Sequence, residues 1–462
     1  ELENFKNEEY CHRLIDCLIP LSWSWTSDLI IIVQPKSPTI IEALMSRGQK
    51  KICVYLDPDY PLDHRYLKKP DENIIFATEE LELADKISRI NSRVRHVTTI
   101  NCNPGAKNRE TILESVDKAL RLGRKLAQIG VNTSARFSES WGFNILSNMP
   151  KMAEAQKLMN TQFIGPKHAV VVAPGPSLAK NISQLTAVQQ HFFIVAPLRV
   201  LGVLEEHDID PDLVIQIDAL SDSEAQFFAK NRPKIRKNLL LEASVNPVFF
   251  EIDAENVIWT LIQKITKVHE VFDSVPTPFC APSVAMYAGA LCFTFGFKSI
   301  CLLGQDLASD GRSIYTNGAS KYLQPTSDVS AFKIPVPGFW GGTVYTREDF
   351  EFYLEQYNLL TDQWKTLRPE ISLVNATEGG AFIEGFKHLE FKSHIDNVLK
   401  SDPHEEKHIE FKSSKDQQKS KLDRFMYSTK HTLQAISNIA DEIIRIDEDH
   451  KLNSANQKKK KK

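Results

Sequence analysis

The chain has 462 residues, which is enough for two or three domains. Hydrophobic residues make up 42% and charged residues 25%, as in ordinary globular proteins, and a formal net charge of −3 gives no general reason to expect nucleic-acid binding. The seven cysteines include no Cys-x-x-Cys pair, which predicts free thiols in a reducing compartment rather than a disulfide framework or a zinc site. No signal peptide is recognisable, although the start at Glu1 rather than Met leaves room for an upstream piece.

Residues 1–150 are predicted to form a first α/β unit. Apolar runs that suit buried strands lie at 29–33, 51–55, 73–76 and 94–100. Helical patterns cover 38–47, 107–130 and 139–149. No Gly-x-Gly-x-x-Gly follows any of these strands, so we expect a scaffold or interaction domain here rather than a cofactor domain.

Residues 151–392 alternate strand and helix patterns more strictly, which indicates a parallel sheet in a central domain. The predicted strands are 168–173, 192–196, 213–217, 239–242, 257–261, 299–304 and 372–375. Helical patterns between them include 198–207 and 283–295. The uncharged segment 274–297 is long enough to cross a bilayer, but its prolines and glycines favour a buried helix, so we expect no membrane span.

The remainder of the chain is highly charged. Residues 393–457 are predicted to be a helical region, with an amphipathic helix marked by apolar residues at 433, 436, 439, 443 and 446 that packs on the body or on a partner. The lysine run 458–462 predicts a solvated basic tail, with a role at a membrane or nucleic acid as the weaker alternative.

The run 169–173 is the strongest local signal in the chain. It is rich in valine, ends in the turn Pro174-Gly175-Pro176-Ser177, and opens into a helical pattern. A turn at the carboxyl end of a buried parallel strand offers backbone N–H groups and a hydroxyl where α/β proteins bind ligands, and a helix N-terminus there favours phosphate. We therefore predict a nucleotide site at this turn.

Polar residues also follow other predicted strands. Asp218 ends one strand, Gln305 and Asp306 follow another, and Ser283 opens the uncharged helix. In a parallel sheet all of these lie on the edge that carries the turn. Each has a structural alternative: Ser177, Asp218 and Ser283 suit helix caps, and Asp306 suits a buried acid bonded to backbone N–H groups.

Three later segments add candidates. Residues 310–315 form a turn that places Tyr315 near Asp306. The Pro/Gly-rich aromatic segment 335–346 feeds a helix and is either a lid or a tight structural loop. Asn375 and Glu378 lie at the end of a further strand beside paired glycines, which suit close backbone approach to a ligand or a plain turn.

These motifs, in this order, resemble the motility-associated factor (Maf) family of flagellin glycosyltransferases. The matching elements are residues 175–178, 209–218, 283, 304–308, 341–346 and 375–381. The core is also similar to bacterial sialyltransferases that use CMP-sialic acid. The resemblance implies an α/β fold in which a Rossmann-like, sialyltransferase-like parallel-sheet domain is flanked by a smaller N-terminal α/β unit and a C-terminal helical region.

The resemblance also implies a reaction: transfer of a nonulosonic acid, of the pseudaminic or legionaminic type, from its CMP donor to Ser or Thr of flagellin in the cytoplasm. No further cofactor is expected. By position, Gly175, Pro176 and Ser177 would meet the CMP phosphate or ribose, and Asp218 and Ser283 would hold the nucleotide. Gln305, Asn375 and Glu378 would complete the donor site. Asp306 would lie beside the donor sugar, and Tyr315 matches a tyrosine that faces the leaving phosphate.

The chain departs from the sialyltransferase pattern at two places. Pro174 stands where those enzymes have an asparagine, and residues 341–346 lack the histidine that serves them as general base. A carboxylate at Asp306 is our candidate for the base, and because a CMP donor carries one phosphate we predict no catalytic metal. Two rival functions remain: a 6-hydroxymethylpterin diphosphokinase-like enzyme, and a non-enzymatic flagellin-binding scaffold with a degenerate nucleotide pocket.

Overall fold

A computed structural model of the chain describes residues 7–19, 23–35, 37–56, 74–90, 96–262, 266–272, 282–309, 311, 313–324, 329–401, 407–412 and 419–427. The chain divides into two compact units, Glu1–Ser138 and Glu139–Lys462. The predicted amphipathic helix around residues 433–446 and the lysine tail at 458–462 lie outside the described residues.

The first unit is built on a sheet of four parallel strands. Its strands and helices are α1 (Glu8–Leu18), β1 (Leu29–Val33), α2 (Thr39–Ser46), β2 (Ile52–Tyr55), β3 (Ile74–Ala77), α3 (Glu80–Ile90) and β4 (Val97–Asn101). The order across the sheet is β3-β2-β1-β4, and every residue of the central strand β1 is buried because apolar side chains cover both faces. The predicted N-terminal α/β unit is confirmed. A single helix, α4 (Arg109–Glu154), replaces the two separate helical stretches that the sequence suggested.

Among its described residues, the second unit contains thirteen strands: nine form one parallel sheet, and the other four form two antiparallel pairs. Its strands are β5 (Gln156–Lys157), β6 (Thr161–Ile164), β7 (His168–Val172), β8 (Phe193–Pro197), β9 (Leu213–Gln216), β10 (Lys234–Glu242), β11 (Asp253–Thr260), β12 (Ser299–Leu303), β13 (Ile334–Pro337), β14 (Thr343–Thr346), β15 (Ser372–Asn375), β16 (Lys387–His388) and β17 (His408–Phe411). Its helices are α5 (Ile182–Val188), α6 (Leu201–Glu206), α7 (Asp222–Lys230), α8 (Thr266–Phe272), α9 (Val284–Thr294), α10 (Glu348–Leu367) and α11 (Phe391–Ser401), and residues 419–427 are also helical. The predicted α/β fold with a central parallel sheet is confirmed.

The strand order of the large sheet is β16-β15-β12-β7-β8-β9-β10-β11-β5. The chain therefore leaves β7 in one direction towards β8 and β9, and later returns to its other side through β12. β7 and β12 pair in parallel, with Val172 beside Leu303 at their carboxyl ends. Ligands of open α/β sheets bind in the crevice at such a reversal of strand order, so this topology predicts a site between β7 and β12.

Alternate residues of β7 pack on opposite faces of the sheet, and both faces are covered. Ala169 and Val171 face the cluster that includes α9, whereas Val170 and Val172 face the cluster that includes α5 and α11. Eight of the eleven residues of α9 are buried, which confirms the predicted buried helix in the uncharged segment; residues 273–281 lie outside the described part. Among the described residues, no helix is long and apolar enough to cross a membrane.

At the amino end of β9, a buried carboxylate forms ion pairs with two lysines. Asp212 precedes β9, and its carboxylate accepts the Ile194 N–H at 2.9 Å. Lys407, just before β17, places Nζ 2.7 Å from Asp212 Oδ2, and Lys237 places Nζ 2.7 Å from Oδ1. Burial lowers the pKa of Lys407, and the Asp212 charge opposes that shift. The 209–212 part of the motif is therefore structural.

Replacing Asp212 tests this role. Asp212→Asn leaves the buried Lys407 ammonium without its carboxylate and should cost about 2–4 kcal/mol of stability, read as a lower urea midpoint. The control Asp210→Asn removes an acid that lies 3.8 Å from Lys237 at the surface, and should cost less than about 1 kcal/mol. Equal losses for the two variants would contradict the assignment.

Candidate active site

The predicted Gly-Pro-Ser turn lies at the carboxyl end of β7, but its backbone N–H groups are not presented to a ligand. Gly175 donates its N–H to Gly304 O at 2.8 Å, and Ser177 donates to both carboxylate oxygens of Asp306, at 3.2 and 3.3 Å. The turn continues as a 3₁₀ helix over Pro176–Lys180 rather than an α-helix. The expectation that this turn cradles phosphate through free N–H groups is therefore wrong, because the loop after β12 supplies the acceptors.

Asp306 joins the two central strands. It is 6% exposed, and its carboxylate packs so close to Gly175 that any Cβ there would overlap it. On its other side, Ala381 donates its N–H to Asp306 O at 2.7 Å, and Gly380, with φ +74°, is equally tight against the Asp306 backbone. The structural alternative for Asp306, a buried acid bonded to backbone N–H, is thus correct, but it does not exclude a chemical role.

The pKa of the Asp306 carboxyl lies closer to neutral pH than that of an ordinary aspartate. Burial raises the pKa of its carboxyl to about 6, against the hydrogen bonds from Ser177 and the charge of Lys180, which lower it. A carboxylate with such a pKa is largely ionised at pH 7 and still basic enough to accept a proton. The site therefore has a candidate general base.

A cavity of about 230 Å³ opens at this edge of the sheet. The predicted site residues that line it are Gly175, Asp218, Ser283, Gln305, Asp306 and Tyr315. Its lining also includes apolar side chains, among them Leu220, Val284, Ile314 and Phe350. Apolar walls with a few convergent polar groups are typical of sites for small organic ligands.

Two arginines in this cavity were not predicted from the sequence. Arg199 follows β8 by two residues; its guanidinium lies 5.0 Å from the centroid of the Tyr315 ring and donates to Gln324 O at 3.0 Å. Arg347 joins β14 to α10 and also lines the cavity. Each guanidinium can bind an anion, so the cavity contains cationic groups suited to a phosphate or carboxylate.

Asp218 lies in the same cavity as Arg199. The Asp218 side chain is exposed where it lines the cavity. Desolvation by the surrounding protein raises the pKa of its carboxyl, and the positive charge of Arg199 opposes that shift. Asp218 is not the cap of α7: that helix begins at Asp222, and its N-cap is Ser221, which forms a capping box with Glu224. Asp218 is therefore available as an acceptor for ligand hydroxyl or amino groups.

Ser283 caps α9, as the structural alternative proposed, and it also lines the cavity. Its hydroxyl accepts the Met286 N–H at 3.2 Å. Among the described residues, the N–H groups of Val284 and Ala285 have no partner, as expected for the first turn of a helix. Within the described part of the chain these donors at the N-terminus of α9 are open to a ligand, and a helix N-terminus favours an anion.

Pro176, Ser177, Asn375 and Glu378 do not line this cavity. Asn375 accepts the Thr377 N–H at 3.1 Å, and Thr377 in turn accepts the Gln305 N–H at 3.1 Å. The Glu378 carboxylate accepts the Phe391 N–H at 2.9 Å, at the start of α11. These residues therefore hold the loops around Asp306 rather than face a ligand in the cavity.

The segment 335–346 is a tight structural loop, the second of the two predicted alternatives. β13 and β14 form an antiparallel hairpin whose turn includes Gly341 and Gly342 at positive φ. The hairpin is bonded to the loop that carries Asp306, because Thr346 Oγ1 donates to Leu307 O at 2.7 Å. Among the described residues that line the cavity, none is a histidine.

Comparison with known proteins supports this fold. A family model described as 6-hydroxymethylpterin diphosphokinase MptE-like matches residues 143–312, a little over a third of the chain. Among solved structures, the chain is similar to the MAf glycosyltransferase from Magnetospirillum magneticum AMB-1, with a TM-score of 0.50 and 16% identity; the match covers 92% of this chain. The chain spans 66% of that protein's length. Comparison with curated proteins finds no match.

At this identity the likeness establishes the fold. The resemblance to a Maf glycosyltransferase that the motifs predict is therefore confirmed as a match of structure over most of the chain. The matched family model covers β7 to β12, and so includes both strands of the switch point.

Gly175→Ala tests the packing of the site. The added methyl would overlap the Asp306 carboxylate and the Gly304 carbonyl, so we expect a loss of about 2 kcal/mol or more in stability and displacement of Asp306. The matched control is Gly142→Ala, which lies in α4 with open space around its Cβ and should stabilise by up to about 1 kcal/mol. A Gly175→Ala protein with an unchanged melting temperature would contradict the geometry.

Proposed function

We propose that the protein is a glycosyltransferase that moves a nonulosonic acid, of the pseudaminic or legionaminic type, from its CMP donor to a Ser or Thr hydroxyl of flagellin. The observation that carries the proposal is the cavity at the β7–β12 switch point, in which the Asp306 carboxylate shares one chamber with Arg199 and the N-terminus of α9. The flagellin acceptor and a cytoplasmic location rest on the family resemblance alone.

The reaction is a displacement at the anomeric carbon of the donor. The bond between that carbon and the phosphate oxygen breaks, and its electron pair leaves with CMP. A new bond forms from the acceptor hydroxyl oxygen, and the hydroxyl proton passes to a base. The site must therefore stabilise negative charge on the phosphate and accept one proton.

Charge on the departing phosphate would be stabilised by Arg199, by the Tyr315 hydroxyl and by the N–H groups of Val284 and Ala285. All four residues line the cavity, and the arginine is already held against the tyrosine ring. Donors that are oriented before the reaction are worth several kcal/mol of barrier, because they need no reorganisation as charge develops.

Asp306 would take the acceptor proton. Its pKa of about 6 fits a base that is ionised at neutral pH, and residues 341–346 contain no histidine that could serve instead. A positioned base contributes roughly 10²–10⁴-fold in rate. Hydrogen bonds from Ser177 fix the carboxylate in place for this step.

A pterin diphosphokinase is the second candidate, because the family model that matches residues 143–312 carries that description. Such an enzyme moves a diphosphate from ATP and needs Mg²⁺. Among the described residues, no group of three His, Cys, Asp or Glu side chains could hold a metal ion. The two candidates are therefore separated by their donors and by their need for metal.

One assay separates the candidates. The purified chain is incubated with flagellin and either CMP-pseudaminic or CMP-legionaminic acid, with and without EDTA, and flagellin is weighed intact by mass spectrometry. We expect a mass gain of one sugar per site, release of CMP and no loss with EDTA. ATP-dependent formation of a pterin diphosphate would instead establish the kinase, and binding of flagellin without either product would establish the scaffold.

Asp306→Asn should abolish transfer, with a fall of at least about 10²-fold in kcat. Ionised Asp306 is costly because burial raises its pKa, so above pH 6 the variant should be more stable than the wild type, by about 1–3 kcal/mol. That advantage should vanish below about pH 4, where the Asp306 carboxyl is protonated in the unfolded chain as well as in the folded protein. The surface variant Asp253→Asn is the control. An active, folded Asp306→Asn enzyme would contradict the role.

The wild-type pH profile gives an independent check. Because the base must be ionised, kcat/KM should fall about tenfold per pH unit below pH 6 and reach a plateau above it. A rate that is flat from pH 5 to pH 7 would exclude Asp306 as the group that accepts the proton.

A further inference from the structure

The cavity holds two arginines, although a CMP donor has only one phosphate. Arg199 is placed against Tyr315 and beside Asp218, and together with the start of α9 it accounts for that phosphate. Arg347 reaches the same cavity from the junction of β14 and α10. A second guanidinium in a cavity of about 230 Å³ indicates a ligand with a second anionic group.

Arg347 is held in a fixed orientation. Its guanidinium lies over the rings of Phe350, at 4.2 Å, and Phe332, at 5.4 Å. The Asp349 carboxylate pairs with one edge of the guanidinium: Arg347 Nε lies 2.7 Å from Asp349 Oδ1, and Arg347 Nη2 donates to Asp349 Oδ2 at 2.9 Å. Nη1 has no hydrogen-bond partner among the residues that the structure describes, so it can bind a further acceptor. Such stacking and pairing pre-organise the group, so little freedom is lost when it binds an anion.

The backbone next to Arg347 is tied to the loop of the proposed base. Thr346, the residue before it, donates its hydroxyl to Leu307 O, and Leu307 directly follows Asp306. Arg347 therefore stands on a segment that is fixed to the loop of Asp306, the proposed base next to which the reacting carbon must lie, whereas Arg199 follows β8.

A nonulosonic acid carries its carboxylate on the anomeric carbon, the same carbon that is bonded to the phosphate oxygen. The two anions of the donor are thus separated by only three bonds and flank the reacting atom. We infer that Arg347 binds this carboxylate and makes the site selective for sugar acids over neutral sugars. The inference rests on the proposed function and extends it to a residue that determines donor specificity.

The test compares three ligands by calorimetry: CMP, CMP-pseudaminic acid, and the methyl ester of that donor at the sugar carboxylate. The wild type should bind the acid at least about tenfold more tightly than the ester, as expected for a charge-assisted pair. Arg347→Gln should remove this preference and leave the dissociation constant for CMP within about twofold. Arg347→Lys should keep part of the preference, because the charge remains but the planar geometry is lost.

Arg232→Gln is the matched control, since Arg232 also pairs with a carboxylate, Glu251 at 2.6 Å, but does not line the cavity. Melting temperatures establish that each variant is folded. A preference for the acid that survives in Arg347→Gln, or an equal loss of CMP affinity, would overturn the inference while the transfer reaction stands. A wild type that binds neither CMP nor the donor would overturn the proposed function itself.

Discussion

The site depends on one contact across the β7–β12 boundary, the hydrogen bonds from the Ser177 N–H to the carboxylate of Asp306. Where the strand order reverses, the connections that follow two neighbouring parallel strands lead to opposite sides of the sheet and leave a crevice between them. Such a crevice has to be closed at its base before it can hold a ligand. The Asp306 carboxylate does this, and its fit explains why a glycine stands at 175 and another at 380. The same burial that closes the base raises the pKa of the carboxyl, so the packing constraint and the proposed chemistry share one cause.

Around this contact the structure places a layer of polar residues that touch loops rather than a ligand. Thr377 holds the Gln305 backbone, Asn375 orients Thr377, and Glu378 anchors the loop to the start of α11. His388 completes this layer: its Nε2 accepts the Ile383 N–H, and burial lowers its pKa, which favours the neutral ring that the hydrogen bond needs. Asn375, Thr377 and Glu378 of the motif 375–381 thus fix the geometry of the loop that carries Asp306 without lining the cavity.

Much of this could be predicted from the sequence, and the parts that could not have physical reasons. Valine-rich strands such as β7 and the uncharged helix α9 are recognisable because burial on all sides leaves no polar periodicity. The N–H groups of the Gly-Pro-Ser turn were expected to be free, because their acceptor lies 129 residues away and is brought near only by the return of β12. Arg199 and Arg347 are not predicted as site residues because neither directly follows a predicted strand. The strand before Arg347, β14, is too short and too exposed to be recognised from its sequence pattern.

The fold alone is compatible with more than one chemistry, since it is similar both to a Maf glycosyltransferase and, in part, to a pterin diphosphokinase family. The lining of the cavity bears on this choice, because the Asp306 carboxylate lines the same cavity as the guanidinium groups of Arg199 and Arg347. A crystal structure of the protein with CMP tests this central claim most directly. The account predicts the phosphate in the cavity within hydrogen-bond distance of Arg199 and the first N–H groups of α9, with Asp306 facing the position beyond it. Nucleotide bound elsewhere, or a phosphate turned away from both groups, would contradict it.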